Sequence, residues 1–197
     1  MGMNIGYLTA NRTSAGDEVY TPFYAVEPLL EFLPMFLPKN KSITIWCPFD
    51  EEWSAFVQVF KREREREREY NIIRSSLKDG QDFFEYEPKY WDILISNPPF
   101  SKKDEILERV CGFNKPFALL LPVGSIQGQK RFKIFNNNIQ LLCFDARINY
   151  HTKDSMQSTI KNNSFGSAYF CRDFLPTKLE FRKLNRYEKP LINIEKS

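Results

Sequence analysis

Asn97-Pro98-Pro99-Phe100 combines residue types that suit one kind of chemistry. An amino group conjugated to an aromatic ring is a poor nucleophile, because its lone pair is delocalised. Two oxygen acceptors, one for each hydrogen, localise that lone pair and aim it at an electrophile. The side-chain amide oxygen of Asn97 and the main-chain carbonyl of Pro98 are two such acceptors. The adjacent prolines hold the carbonyl direction, so little reorganisation is needed during reaction. Phe100 supplies a flat face on which an extruded base can stack.

The preceding residues place this corner. Ile93-Leu94-Ile95 is a short apolar run and reads as a strand covered on both faces. The two prolines end it, since neither donates to a sheet ladder and each restricts its predecessor to extended backbone. Asn97 is therefore expected at the carboxyl end of a parallel strand, where open α/β sheets bind ligands.

Asn-Pro-Pro-Phe after an apolar strand resembles the catalytic motif of S-adenosylmethionine-dependent amino-methyltransferases, above all the adenine-N6 DNA methyltransferases. The resemblance implies an α/β, Rossmann-like fold with a mostly parallel, doubly wound sheet and an antiparallel last strand. It implies S-adenosyl-L-methionine as cofactor, DNA as partner and a flipped adenine as the methyl acceptor. Asn97, Pro98, Pro99 and Phe100 become the expected catalytic group. A strand ending in a rigid turn without chemistry is the plainer reading of the same residues.

The same resemblance assigns cofactor contacts earlier in the chain. Thr21-Pro22-Phe23-Tyr24-Ala25 looks like the N-terminal cofactor motif, whose helix start faces the methionine carboxylate. Thr21, Pro22 and Tyr24 are its expected contacts. Trp46-Cys47-Pro48-Phe49-Asp50 follows the first strand, where the family usually carries a Gly-rich loop. No such glycines are present. The segment instead resembles small phage- and mobile-element-associated adenine methyltransferases. Pro48 and Asp50 are expected to bind cofactor there, Asp50 by accepting from the cofactor's amino group, although capping of the next helix is an equal role for Asp50. Asp82-Phe83 resembles the element after the family's third strand, where the acid accepts from the cofactor adenine and the ring packs on it. Serines (Ser75, Ser76) stand where an acid usually holds the ribose, so the ribose contact stays unassigned. Lys102 and Lys103 follow the catalytic corner and are expected to touch substrate phosphates.

The scaffold reads in order. Residues 1–17 look like a loose leader. Residues 21–33 keep helical apolar spacing, with Thr21 as cap and Pro28 in the first turn. Strands are expected at 42–47, 71–77, 92–96, 116–122, 139–144 and 166–171, with helices from Ser54, Ser101 and near Lys130. Residues 61–69 alternate in sign and read as a solvated helix extension. Residues 151–165 form a polar loop, and 175–197 a charged, marginally ordered tail. The alternation of strand and helix gives a mostly parallel sheet in one domain spanning 1–197.

Composition bounds the partners. Net charge is +3, which permits a polyanion partner without requiring one. The four cysteines are far apart and read as reduced, buried thiols; with one histidine, neither a zinc site nor a Ser-His-Asp triad is expected. No long apolar span or signal peptide is evident, so a cytoplasmic protein with no membrane and no metal is expected. There is no long insertion of the kind that reads a DNA sequence. Short loops, a separate specificity partner, or a target other than duplex DNA would account for that. The same chemistry serves RNA bases or a protein glutamine. A degenerate fold that only binds is the non-enzymatic alternative.

Overall fold

The computed structural model describes residues 19–36, 42–65, 70–135, 138–153, 156, 158 and 165–191. The expected leader at 1–17, residues 66–69 of the charge run, most of 154–164 and the end of the tail at 192–197 lie outside the described residues.

The elements, in chain order, are β1 (Val19–Tyr20), α1 (Phe23–Val26), β2 (Ile43–Pro48), α2 (Ala55–Glu65), β3 (Tyr70–Ser75), β4 (Ile93–Ser96), α3 (Lys103–Gly112), β5 (Phe117–Pro122), α4 (Gln129–Phe135), β6 (Gln140–Phe144), β7 (His151–Thr152), β8 (Ser167–Arg172) and β9 (Leu179–Arg182). Seven strands form one sheet in the order β3-β2-β4-β5-β8-β6-β9. Only β8 runs against the rest, pairing antiparallel with both β5 and β6. The short β1 and β7 pair antiparallel as a separate ribbon. The expected mixed sheet with a reversed late strand is therefore present, with β9 added beyond it as a parallel edge partner of β6.

Alternation along the strands separates two cores. Ile43, Ile45 and Cys47 of β2, Ile93 and Ile95 of β4, and Ala118 and Leu120 of β5 face α1 and α2. Trp46, Leu94, Phe117, Leu119 and Leu121 face α3 and the aromatic residues around Phe83 and Trp91. Both faces of the central strands are buried, which is why they read as continuous apolar runs. All four cysteines are free thiols, with Cys47 and Cys171 buried in strands.

Several local expectations are corrected. The helix expected over 21–33 is a single α-turn followed by 3-10 segments at Glu27–Glu31 and Leu33–Phe36. Pro28 has no N–H to continue the α pattern, and Pro34 repeats the interruption. Pro22, not Thr21, sits at the N-cap of α1, and no side chain caps that helix. No side chain caps α3 either; Lys102 holds its N-cap, with Asp104 and Glu105 in the first turn. No strand lies between β3 and Asp82: residues 76–92 contain only a 3-10 turn at Leu77–Asp79. There the Phe84 N–H bonds to Asp82 Oδ1 at 2.9 Å, and the Asp82 carbonyl accepts from Tyr86 at 2.7 Å. The chain thus curls its aromatic side chains onto Trp46 instead of extending along β3. Residues 175–191, read as tail, carry β9 and bury Leu175, Leu184 and Leu191.

Candidate functional site

β2 is flanked by β3 on one side and β4 on the other, both parallel to it. The chain leaves β2 in one direction and returns over it in the other, so a crevice opens at the carboxyl ends of β2 and β4. A cavity of about 360 Å³ lies there. Phe49, Asp50, Glu51, Trp53 and Ser54 wall it from the loop after β2, Ser76 to Lys78 from the end of β3, and Asn97 and Pro99 from the end of β4. Val19, Tyr20 and Thr21 close one side, joined by Lys153 and Leu191.

Asn97 donates its Nδ2 to the Val19 carbonyl at 3.0 Å. Its Oδ1 is buried and has no hydrogen-bond partner among the described residues. Thr21 Oγ1, on the same cavity wall, is likewise buried without a partner. A buried acceptor without a donor costs about 1–3 kcal/mol, so the two mark positions where a ligand's polar groups fit. The Pro99 carbonyl accepts the Lys102 N–H at 3.3 Å and closes the turn after the strand.

Asp50 is 7% exposed and lines the cavity. Its Oδ2 lies 2.6 Å from Ser96 Oγ, and Ser54 also hydrogen-bonds to it. Burial pushes its carboxyl up to about 7, against the lowering effect of those hydroxyls. Asp50 does not cap α2. Ser54 does, accepting the Val57 N–H at 3.3 Å. The start of α2, through Ser54, Ala55 and Phe56, faces the cavity with its positive dipole end.

The turn after β2 explains how a glycine-poor loop works here. Phe49 adopts φ of +69°, the left-handed conformation that glycine adopts freely. Its ring is held against Phe83 at a centroid distance of 4.7 Å. The backbone shape usually made by glycine is thus retained, with aromatic packing offsetting the strain.

The cavity brings together Thr21, Asp50, Asn97 and Pro99 of the expected residues. The others lie elsewhere. Pro22 starts α1. The Tyr24 hydroxyl accepts from the Asn149 N–H at 2.9 Å, away from the cavity walls. The Pro48 carbonyl accepts from the Ser96 hydroxyl. Phe83 is 3% exposed, inside a group formed with Trp46, Phe49, Phe84 and Phe113. Pro98 is buried, and Phe100 is half-buried with its ring edge-on to Phe165 at 5.7 Å. Lys102 lies over the Phe84 ring at 5.5 Å, and Lys103 donates to the Phe100 carbonyl at 3.2 Å.

Sequence reasoning missed Tyr20, Glu51, Trp53, Lys78 and Lys153. Tyr20 and Trp53 meet edge-to-face at 4.9 Å on the cavity wall. Glu51 pairs with Lys78 at 2.5 Å and accepts from Trp53 Nε1 at 3.2 Å. Adjacency of Glu51 to Asp50 was the one available signal.

The fold has a counterpart among solved structures. The type I restriction-modification system methyltransferase subunit from Streptococcus thermophilus aligns with 84% of this chain at a TM-score of 0.50 and 14% identity. The chain has a Rossmann-like methyltransferase fold. It spans about half of that subunit, 47% of its length. Human methyltransferase 10 domain containing protein aligns at a TM-score of 0.37 and 8% identity, over 85% of this chain and 92% of its own. The N-terminal domain of human METTL16 in complex with SAH aligns at 0.35 and 8%, over 77% and 69%. These two scores are too low to add to the argument. No family model matches the chain, and no curated protein matches it. Among the described residues, no group of three potential metal ligands occurs, and no helix is long and apolar enough to cross a membrane.

Proposed function

We propose that this protein is an S-adenosylmethionine-dependent methyltransferase that modifies an exocyclic amine, with N6 of adenine in DNA as its target. The observation that carries the reading is the buried, unpartnered Asn97 Oδ1 on the wall of a ligand-sized cavity at the switch point of the sheet.

The cavity's residues fit the donor. The start of α2 suits the carboxylate of the donor's amino-acid end, and Asp50 suits its ammonium. Thr21 Oγ1 offers a further hydrogen bond beside them. Glu51, on the loop after β2, and Lys78, just past the end of β3, are paired across the cavity wall and are the proposed holders of the ribose hydroxyls, the role that the serines left open. The donor supplies a methyl group on a sulfonium, which needs no metal activation.

Asn97 then does the chemical work of the chain. Its Nδ2 is engaged by Val19, so the amide is oriented with Oδ1 available to the acceptor amine. Holding one hydrogen of that amine on Oδ1 and the other on the Pro98 carbonyl concentrates the lone pair on nitrogen. Phe100 remains the proposed stacking surface for the flipped base, and Lys102 a phosphate contact.

The test has two steps. Calorimetric titration with S-adenosylhomocysteine should show binding to one site. Labelled methyl transfer is then compared across DNA, RNA and peptide substrates. Transfer to DNA adenine is the expected result. Transfer to RNA or a glutamine amide alone would keep the chemistry and replace the substrate. No binding of S-adenosylhomocysteine would leave a non-catalytic module.

A further inference from the structure

Ser96 sits at the last position of β4, with no exposure to solvent. Its hydroxyl contacts two acceptors, the Pro48 carbonyl and Asp50 Oδ2. A hydroxyl has one proton, so it donates to only one of them. Both contacts are full two-centre hydrogen bonds only when Asp50 carries a proton of its own, donating to Ser96 Oγ while Ser96 donates to Pro48.

The surroundings agree with a neutral acid. No ion pair reaches Asp50 among the described residues. Ser54 and Ser96 are its polar contacts. Cys47 on β2 and Tyr169 on β8 also face it; burial raises both well above their ordinary values, so both stay neutral. Glu51, on the same loop, is engaged by Lys78. Lys78 and Lys153 stand on other walls of the cavity.

We propose that Asp50 is protonated in the ligand-free cavity and releases its proton when the ammonium group of the donor's amino-acid end docks against it. This rests on the reading of the cavity as a donor site. The relay then has a second state. Asp50 becomes a carboxylate paired with the ammonium, and Ser96 can turn its proton from Pro48 to Asp50. The end of β4, and with it Asn97 one residue on, thereby senses whether the donor's amino-acid end is in place. A product or fragment lacking that amine would bind without switching the relay.

The experiment is calorimetric titration of the full chain with S-adenosylhomocysteine at pH 6, in two buffers of different ionisation enthalpy. With a carboxyl near 7, about 0.9 proton should be released per ligand bound. Affinity should rise about tenfold per pH unit from pH 5 to pH 6.5 and level off above pH 7. 5′-Methylthioadenosine, which has the nucleoside and thioether without the amino acid, should bind with no proton release. Asp50→Asn should bind S-adenosylhomocysteine with no release. Binding without proton release from the parent chain would overturn the inference and leave the donor site standing. Release that persists in Asp50→Asn would also overturn it, assigning the proton to a group other than Asp50. No binding of either ligand would remove the donor site itself.

Discussion

The side-chain amide of Asn97 donates to the main-chain carbonyl of Val19 at 3.0 Å, joining the end of β4 to a residue 78 positions earlier. This bond settles which end of the amide faces the cavity. Without it, nitrogen and oxygen could exchange places and the acceptor would be lost for part of the time.

Replacing Asn97 tests the role of that oxygen. Asn97→Ala should lower methyl transfer by about 10²–10³-fold, the usual loss on removing one preorganised polar group. S-Adenosylhomocysteine affinity should stay within about threefold, because the donor's holders lie on other elements. Asn97→Asp should also be impaired, since a carboxylate oxygen would then face the Val19 carbonyl. Single-turnover transfer and calorimetry separate the two effects. Full activity of Asn97→Ala would refute the mechanism.

Asp50 should leave a mark on stability. Its carboxyl stands near 7 in the fold against an ordinary 3.8, so the native state holds this proton longer than the unfolded chain. Stability from this group is therefore greatest at low pH and falls as pH rises from about 4 to about 7. Asp50→Asn removes the dependence while keeping the volume. The stability of the variant relative to the parent should grow with pH across that window, by up to about 4 kcal/mol. Denaturant titrations at pH 4 and pH 8 measure it; a pH-independent difference would contradict the assignment.

Phe83 should behave as a core residue. Its ring lies among Trp46, Phe49, Phe84 and Phe113, with the Arg109 guanidinium 5.5 Å from its centroid. Phe83→Ala should cost about 3–5 kcal/mol of stability. Part of that cost comes through Phe49, whose left-handed backbone leans on this ring. A stable variant with selectively weakened S-adenosylhomocysteine binding would instead return Phe83 to the cofactor role that the motif implies.

Glu51 is the reverse case. Its pairing with Lys78 is largely solvent-exposed on the lysine side, so it adds at most about 1 kcal/mol to stability. Glu51→Gln should leave the melting temperature nearly unchanged and weaken S-adenosylhomocysteine about five- to tenfold, the loss of one charge-assisted hydrogen bond. Unchanged affinity would place the ribose contact elsewhere.

Much of the scaffold was legible in the chain because its signals are local. Apolar runs ended by prolines marked β2, β4 and β5, and burial on both faces is what such runs encode. The Asn97 corner was legible for the same reason. Where local signals competed, reading failed. The apolar spacing over 21–33 suggested one helix, while Pro28 and Pro34 divided it. Asp82-Phe83 is a different case: it matched a motif, and in the fold Asp82 makes a turn and Phe83 lies in the core.

By itself the chain determined the type of sheet, the rigid corner at Asn97 and the residue types available for chemistry, since these depend on neighbours in sequence. Only the tertiary structure decided which of them share a cavity. Val19, Asp50, Asn97 and Lys153 meet because parallel strands end side by side, and the β1–β7 ribbon folds over them. Contacts across such separations follow from sheet order, and burial at that junction is what raises the Asp50 carboxyl and leaves Asn97 Oδ1 without a partner among the described residues.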